Sequence, residues 1–310
     1  MEKIAVFGST GLVGSNIIKK LDKSKYEILS PPRKELDLMD LYAVLDWFYK
    51  NTPDKVILSA ARVGGIIANS SMPTQFIYQN LSIQNNVIAS AFEAGVNDLI
   101  FLGSSCIYPR ECPQPIKEEY LLSGPLEKTN KSYAVAKIAG VQFCDSIREQ
   151  YGRNYYSVMP CNLYGPGDNF NTEASHVIPG MIMKIYDALQ NGSDGVKLLG
   201  TGNPLREFLY IKDLADAIVF LLENYNKEYE LINIGSGKEI SIKDLATIIA
   251  KALGYSGEII FNTDGPDGTP RKIMDNSRIN SLGWKPQISL ESGISETVKW
   301  FYENIEKIRK

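Results

Sequence analysis

The chain has 310 residues and a formal net charge of −3, and 44% of its residues are apolar, 22% charged and 10% aromatic. These fractions are those of an ordinary globular protein, so they exclude a disordered chain and a small disulfide-stapled scaffold. The length is sufficient for one large domain or two modest ones. The slight acidity argues against a nucleic-acid-binding protein, which usually carries a basic excess.

No stretch approaches the roughly 18–20 consecutive apolar residues that cross a bilayer, and the first residues enter a strand pattern without a signal-peptide core. We therefore expect a cytoplasmic protein that binds no membrane. The four cysteines lack CxxC spacing, and the sequence contains a single histidine, His176, so we expect no bound metal. A reducing cytosol also disfavours disulfides.

In chain order, the first half alternates short apolar runs with segments of helical spacing. The predicted strands cover 3–7, 26–29, 55–59, 99–102 and 155–159. The predicted helices cover 12–20, 41–50, 77–94 and 132–151. This alternation is typical of an α/β protein with a Rossmann-type, doubly wound parallel sheet that helices cover on both faces.

The second half has longer irregular stretches that are rich in Gly, Asn and Asp. Helices are predicted over 177–190, 212–223 and 242–253, the last with Ser241 as its N-cap. We interpret residues 1–165, with part of 205–235, as a dinucleotide-binding Rossmann domain. Residues 166–310 then form a smaller α/β substrate-binding domain that covers the carboxyl edge of the sheet.

A glycine-rich loop follows the first predicted strand and opens the first predicted helix. Its residues are Gly8, Ser9, Thr10, Gly11, Leu12, Val13 and Gly14. Glycines at this place allow a tight turn and the close approach of a pyrophosphate, whose charge the helix N-terminus favours. The context predicts a dinucleotide site, and an incidental glycine turn is the alternative.

The end of the second predicted strand indicates which dinucleotide binds. NAD enzymes usually carry an acidic residue about 20 residues after the glycines, whereas this chain has Arg33, in Ser30-Pro-Pro-Arg33. A guanidinium can hold a 2′-phosphate with paired hydrogen bonds. We therefore predict NADP rather than NAD, with a solvated loop charge at Arg33 as the alternative.

Tyr133 and Lys137 lie four residues apart in a predicted helix, and therefore on one helix face. A nearby cation favours phenolate and lowers a tyrosine pKa from its usual value of about 10. Such a pair suits proton transfer to a carbonyl oxygen during hydride transfer. Ser104, at the end of a predicted strand, completes this pattern.

These motifs resemble the extended short-chain dehydrogenase/reductase superfamily, and within it the epimerase-reductases of GDP-linked 4-keto sugars. The resembling blocks extend over nearly the whole chain and include 60–66, 76–80, 102–109, 132–140, 159–166, 175–179 and 206–208. The resemblance implies an NADPH-dependent enzyme that epimerises GDP-4-keto-6-deoxy-D-mannose at C3 and C5 and reduces it at C4 to GDP-L-fucose. It also implies a homodimer that is built from the two long helices predicted over 77–94 and 132–151.

The resemblance implies two sets of catalytic residues. Cys106 as base and His176 as acid exchange the C3 and C5 protons, which the ketone acidifies. Tyr133 donates a proton to the C4 oxygen, Lys137 binds the cofactor ribose and Ser104 holds the ketone. For an isolated cysteine or histidine, core packing or a surface position is the simpler interpretation.

The resemblance further implies cofactor contacts beyond the glycine loop and a basic site for the nucleotide diphosphate. The implied cofactor residues are Leu102, Gly103, Lys137, Pro160, Asn162, Leu163 and His176. The implied substrate residues are Lys184, Leu199, Arg206, Asp267 and Lys272. An ion pair of Arg206 with Glu207 or Asp213 is the alternative for that arginine.

Four positions depart from residues that occur in this branch of the superfamily. Thr10 and Met183 stand where some members carry arginine, Leu199 where some carry tryptophan, and Cys161 where threonine is common. These departures leave open a C4 reductase, with or without epimerase activity, of a related GDP-4-keto sugar such as GDP-4-keto-6-deoxy-heptose. A third interpretation is a non-catalytic NADP-binding regulator, a kind of protein that typically lacks the Tyr/Lys pair.

Overall fold

The structure, a computed structural model, describes residues 1–170, 175–225, 228–263 and 268–308. Within these ranges no helix is both long and apolar enough to cross a membrane. The strands in the same ranges are β1 (Glu2–Phe7), β2 (Tyr26–Leu29), β3 (Lys55–Leu58), β4 (Asp98–Leu102), β5 (Asn154–Pro160), β6 (Asn162–Tyr164), β7 (Gly195–Leu199), β8 (Leu205–Tyr210), β9 (Leu231–Ile234), β10 (Glu239–Ser241), β11 (Glu258–Asn262) and β12 (Arg271–Lys272).

The helices flank these strands on both sides. They are α1 (Leu12–Lys20), α2 (Leu41–Asn51), α3 (Ile66–Ser71), α4 (Pro73–Glu93), α5 (Lys131–Tyr151), α6 (Val177–Gln190), α7 (Ile211–Asn224), α8 (Ile242–Leu253), α9 (Ser277–Ser281) and α10 (Leu290–Ile308). Short 3-10 turns lie at Ser105–Ile107, Glu118–Tyr120 and Lys128–Asn130.

Six parallel strands form the main sheet, in the order β2-β1-β3-β4-β5-β9. The five strands predicted in the first half are all present, and the Rossmann-type α/β class is confirmed. Both faces of the sheet are covered, and Val56, Ile57 and Leu58 of β3 are fully buried. Strands covered on both faces are unbroken apolar runs. The strand order reverses between β1 and β3, where such sheets bind ligands beyond the carboxyl ends of their strands.

The chain returns to the main sheet late. Leu231–Ile234 pairs in parallel with β5, and α7 packs beside α1. Part of the span 205–235 therefore lies in the same layers as the N-terminal strands. The division of the chain at residue 165 stays a prediction.

A second group of strands centres on β8. β10 pairs with it antiparallel, β12 and β6 pair with it in parallel, and β7 pairs with β11 separately. The predicted helices are confirmed as α6, α7 and α8. Ser241 caps α8, because its Oγ accepts the backbone N–H of Asp244 at 3.0 Å. The sequence-based prediction lacks α10 and the strands of this second group.

Candidate active site

The glycine loop between β1 and α1 forms a cradle for an anion. Gly8 has a φ of 89°, and a Cβ there would lie 2.7 Å from the backbone nitrogen of Ala60, which follows β3. A Cβ on Gly14 would clash with the carbonyl oxygen of Gly8. Gly11 caps α1 without a side-chain hydrogen bond, so the N–H groups of the first turn are open to a ligand. The loop therefore fits a dinucleotide pyrophosphate.

The end of β2 lies beside this cradle. Ser9 Oγ donates a hydrogen bond to the carbonyl of Ser30 at 3.4 Å and so joins the loop to the strand end. Arg33, three residues further on, is exposed, and so is Thr10 of the loop. This placement agrees with Arg33 as a ligand of the 2′-phosphate, which stays a prediction.

Lys137 is a buried cation on α5. Its side chain reaches the end of β4, where Nζ donates a 2.7 Å hydrogen bond to the carbonyl of Leu102 and lies 4.6 Å from the Phe101 ring centroid. Burial lowers the pKa of Lys137 to about 8. The ring centroid of Tyr133 is 5.9 Å from the same Nζ. The structure therefore brings the lysine and the phenol together at the carboxyl end of the main sheet.

Tyr133 forms a hydrogen bond with the Ser104 side chain and packs edge-on against Phe76. Burial raises the pKa of Tyr133 well above its usual range, the neighbouring Cys106 adds to the rise, and the Ser104 hydrogen bond opposes it. The expectation of a lowered pKa is wrong in this structure, because burial outweighs the opposing hydrogen bond from Ser104. A phenol that keeps its proton is the form that reduction of a ketone requires.

Cys106 lies in the 3-10 turn directly after β4. Ser104 Oγ accepts the backbone N–H of Cys106 at 3.4 Å, and the thiol also forms a hydrogen bond with Ser104. Burial raises the pKa of the Cys106 thiol, and the ammonium groups of Lys272 and Lys137 oppose the rise. One serine hydroxyl therefore contacts both the thiol and the phenol of Tyr133.

Lys272 approaches this thiol from the second group of strands. It lies on β12 opposite Arg206 of β8. Burial lowers the pKa of Lys272, while the thiols of Cys106, Cys112 and Cys161 lie near enough to raise it. The structure thus places Lys272 beside the predicted base as well as beside Arg206, which a diphosphate-binding role alone does not explain.

Glu207, the neighbour of Arg206 on β8, is fully buried and joins three parts of the chain. Its carboxylate accepts the N–H groups of Gly237 at 2.7 Å and Met274 at 2.9 Å. Burial raises the pKa of Glu207 to about 7. The carboxylate of Asp213 likewise accepts backbone N–H groups. Both carboxylates therefore have backbone partners, and an ion pair with Arg206 is not needed to explain them.

A buried hydrogen-bond network holds the turn that carries Cys106. The hydroxyl of Tyr108 donates to Asn233 Oδ1 at 2.7 Å. The backbone N–H of Asn233 donates to Glu118 Oε1 at 2.9 Å, and its side-chain amide donates to the carbonyl of Ile116 at 2.9 Å. The network joins the turn to β9, and no sequence motif identified it.

His176 is half-exposed and caps the N-terminus of α6. Its Nδ1 lies 3.9 Å from Oδ1 of Asp168, whose side chain is only 5% exposed. Asp168 is not among the predicted site residues, because seven residues separate it from His176 in the sequence and no motif links the two.

The remaining predicted cofactor residues surround the ends of β4 and β5. A Cβ on Gly103 would clash with the end of the Met159 side chain, which fills the space beside this glycine. Asn162 donates from its side chain to the carbonyl of Glu207 at 2.8 Å. Pro160 ends β5, and Leu163 lies in β6.

The predicted substrate residues lie on the second group of elements. Leu199 ends β7 and is 62% exposed, and Lys184 is half-buried on α6. Met183 is buried, in agreement with a packing role. Asp267 lies outside the described residues.

The glycine loop forms a cradle for a dinucleotide, and a tyrosine, a lysine and a serine meet near the end of the fourth strand. This combination defines an NAD(P)-dependent enzyme that acts on a carbonyl or carbinol carbon. Residues 4–235 match the model of the NAD dependent epimerase/dehydratase family. The chain belongs to this family, and the resemblance described from the sequence blocks is confirmed.

The relatives are similar over nearly their whole length. A GDP-L-fucose synthase of Sinorhizobium fredii is 49% identical over 98% of this chain and 96% of its own, and that of Escherichia coli is 45% identical over 99% of both. A solved GDP-L-fucose synthetase from Naegleria fowleri, bound to NADP, is 34% identical with a TM-score of 0.91, over 100% of this chain and 96% of its own.

Proposed function

We propose that the chain is an NADPH-dependent epimerase-reductase that converts GDP-4-keto-6-deoxy-D-mannose into GDP-L-fucose. The observation that carries the proposal is the Ser104 hydroxyl, which contacts both a phenol and a thiol. A ketone held there can undergo both exchange of its α-protons and reduction, because the group that polarises the carbonyl for reduction also stabilises the enolate. The similarity to GDP-L-fucose synthases over nearly the full length supports this substrate.

Epimerisation is assigned to Cys106 and His176. A thiolate at Cys106 removes the proton at C3 or C5, and the electrons of that C–H bond move onto the ketone oxygen as an enolate. His176 returns a proton to the opposite face, so the carbon inverts with no net gain or loss of protons. The Lys272 and Lys137 ammonium groups favour the thiolate of Cys106, because both oppose the rise of its pKa.

Reduction is assigned to Tyr133 with Lys137. Bound NADPH supplies the hydride that forms the new C4–H bond. Tyr133 donates its phenolic proton to the ketone oxygen, which becomes a hydroxyl group, and Ser104 orients that oxygen. Lys137 lies close enough to the end of β4 to exchange its bond with the Leu102 carbonyl for a cofactor ribose hydroxyl.

The GDP moiety is assigned to the second group of strands. Arg206 and Lys272 are cross-strand neighbours, so two cations face the same side of that sheet. Paired cations are suited to a diphosphate. Lys184 and Leu199 complete the proposed site.

A second candidate is the C4 reduction of a related GDP-4-keto-heptose. A Campylobacter jejuni GDP-6-OMe-4-keto-L-xylo-heptose reductase is 35% identical, with a TM-score of 0.91 over 98% of both chains. Leu199, which lies at the proposed sugar-nucleotide site, also departs from the tryptophan that some members of this branch carry, and the buried Met183 departs from an arginine. A non-catalytic regulator is the least favoured, because Ser104, Tyr133 and Lys137 are all kept together.

Incubation with each keto sugar and NADPH in deuterated water separates these candidates. Double epimerisation inserts two solvent deuterons, at C3 and C5, which NMR of the product detects. GDP-L-fucose with deuterium at both carbons supports the first proposal. A reduced product without deuterium contradicts it and favours a simple C4 reductase.

We also propose a cytoplasmic homodimer that pairs through α4 and α5. These helices pack on each other, and their outer face carries Phe92 and Tyr151 with ring centroids 4.6 Å apart. Light scattering of the purified protein tests the dimer, and cell fractionation tests the location.

A further inference from the structure

A buried carboxylate faces the only histidine of the chain. Asp168 Oδ1 lies 3.9 Å from His176 Nδ1, and the two side chains are 5% and 48% exposed. The same Oδ1 accepts the backbone N–H of Asn169 at 2.7 Å. The carboxylate is therefore fixed by its own turn, whereas the imidazole has room to rotate towards it.

The second oxygen of this carboxylate is buried. Among the described residues, Asp168 Oδ2 is buried and accepts no hydrogen bond. Buried carboxylate oxygens are normally satisfied, because leaving one without a donor is unfavourable. The imidazole Nδ1 lies 3.9 Å from Oδ1 of the same carboxylate, beyond hydrogen-bonding distance, so a side-chain rotation has to bring the two groups together.

The chain beside each partner is anchored on a different helix, α10 for Phe170 and α6 for His176. Phe170, two residues after Asp168, is buried and packs against Trp300 and Phe301 of α10, with ring centroids 5.9 and 5.2 Å apart. His176 accepts the backbone N–H of Gly180 through its carbonyl at 3.0 Å, in the first turn of α6. The described contacts thus hold the chain beside each partner, and the inference requires a side-chain rotation that shortens the 3.9 Å separation.

We infer that Asp168 is a positioning residue for His176. With Nδ1–H directed at the carboxylate, Nε2 carries the proton that is transferred, as an orienting carboxylate does for a catalytic histidine elsewhere. The Nε2–H bond breaks, the enolate electron pair forms the new C–H bond, and the Nδ1 proton stays in place. The inference rests on the proposed function, because it needs His176 to act as the acid.

Catalytic hydrogen bonds are often long without substrate and shorten in the complex, so 3.9 Å is compatible with this role. A purely structural role for Asp168, as the cap of its own turn, would affect folding and both activities equally. The test therefore has to separate proton exchange from hydride transfer.

The first experiment compares the wild type with Asp168→Asn and Asp168→Glu. It measures solvent deuterium entering C3 and C5 and, separately, NADPH oxidation on a ketone that is already epimerised. We expect Asp168→Asn to slow deuterium entry by about tenfold or more. This loss should be smaller than the roughly 10²–10⁴-fold contribution of a general acid itself, and the rate of reduction should stay within about twofold of the wild-type rate. Asp168→Glu should restore part of the exchange. Asp194→Asn, an exposed aspartate beyond α6, is the matched control and should change neither rate.

Equal losses of exchange and reduction in Asp168→Asn, or no loss of exchange, overturn the inference. A wild type that exchanges no deuterium refutes the proposed function itself, which is a separate outcome.

The second experiment needs no variant. Because the chain has one histidine, the ¹⁵N shifts of its imidazole report on a single ring. We expect Nδ1 to carry the proton in the neutral form, and a ring protonated at Nε2 alone overturns the inference even if the variants fail to fold.

Discussion

Replacing Glu207 by glutamine tests how a buried carboxylate couples the stability of this protein to pH. Glu207 is fully buried and joins β8 to the backbone at Gly237 and Met274. Burial raises its pKa from 4.5 to about 7, although its backbone hydrogen bonds oppose the rise. Glutamine has nearly the same shape and keeps one acceptor oxygen, so Glu207→Gln resembles the protonated side chain and does not titrate.

The size of the effect follows from the shift in pKa. Because the pKa of Glu207 is higher in the folded state, its protonation contributes fully to the free energy of unfolding below pH 4.5. This contribution is lost as the pH rises through about 7. At about 1.4 kcal/mol per unit, the loss is about 3 kcal/mol. The glutamine variant lacks this loss, so its stability relative to the wild type should increase by about 3 kcal/mol over that interval.

Urea unfolding of both proteins, at steps from pH 4.5 to pH 8, measures this difference directly. Other titrating groups cancel because they are common to both chains. Glu258→Gln, on the exposed strand β11, is the matched control and should follow the wild type at every pH. Parallel stability curves for the wild type and Glu207→Gln would show that Glu207 does not titrate in this range, and the reasoning from burial would fail.

Three further predictions concern the site. Cys106→Ser should abolish deuterium entry at C3 and C5 in the NMR assay, because a serine hydroxyl is too weak an acid to form the base. Reduction of an already epimerised ketone should survive. Equal loss of both activities contradicts the separate roles. Tyr108→Phe should lower stability to urea by about 1–3 kcal/mol, because Asn233 Oδ1 loses its buried donor; an unchanged midpoint would exclude that contribution. Gly14→Ala should weaken NADPH binding at least about tenfold in a fluorescence titration, because its Cβ clashes with Gly8. Wild-type affinity in that variant would show that the loop adapts.

The main sheet could be predicted because its signals are local. Each strand of the first half is a short apolar run, and α1, β2 and α6 begin and end where the sequence pattern indicates. The strands around β8 carry no such signal. β10 has three residues and β12 has two, and both exist only because β8 supplies their hydrogen-bond partners. A propensity calculation cannot contain that tertiary contribution.

The site residues divide in the same way. The pairing of Tyr133 with Lys137 can be predicted from the sequence, because helix spacing places the two residues on one face. Glu207 is adjacent to Arg206 in the sequence, but adjacent residues in a strand point to opposite faces, so its carboxylate lies on the other face of β8. Asp168 lies in irregular chain, where no period links it to His176. Its position follows from Phe170, whose burial only tertiary packing determines.

Under the proposed reaction, the ketone is both the activator and the target, and this determines the order of the steps. The C3 and C5 protons are acidic only while C4 is a carbonyl, so a hydride delivered early would trap an incompletely epimerised sugar. Proton exchange must therefore be complete before reduction, although both steps use the oxygen that Ser104 holds. The Cys106 thiol and the Tyr133 phenol both contact the Ser104 hydroxyl, so the proposal assigns both steps to a ketone held at one place. Burial raises the pKa of Tyr133, which favours the protonated phenol during the exchange steps. The phenol is therefore still a donor when the hydride arrives.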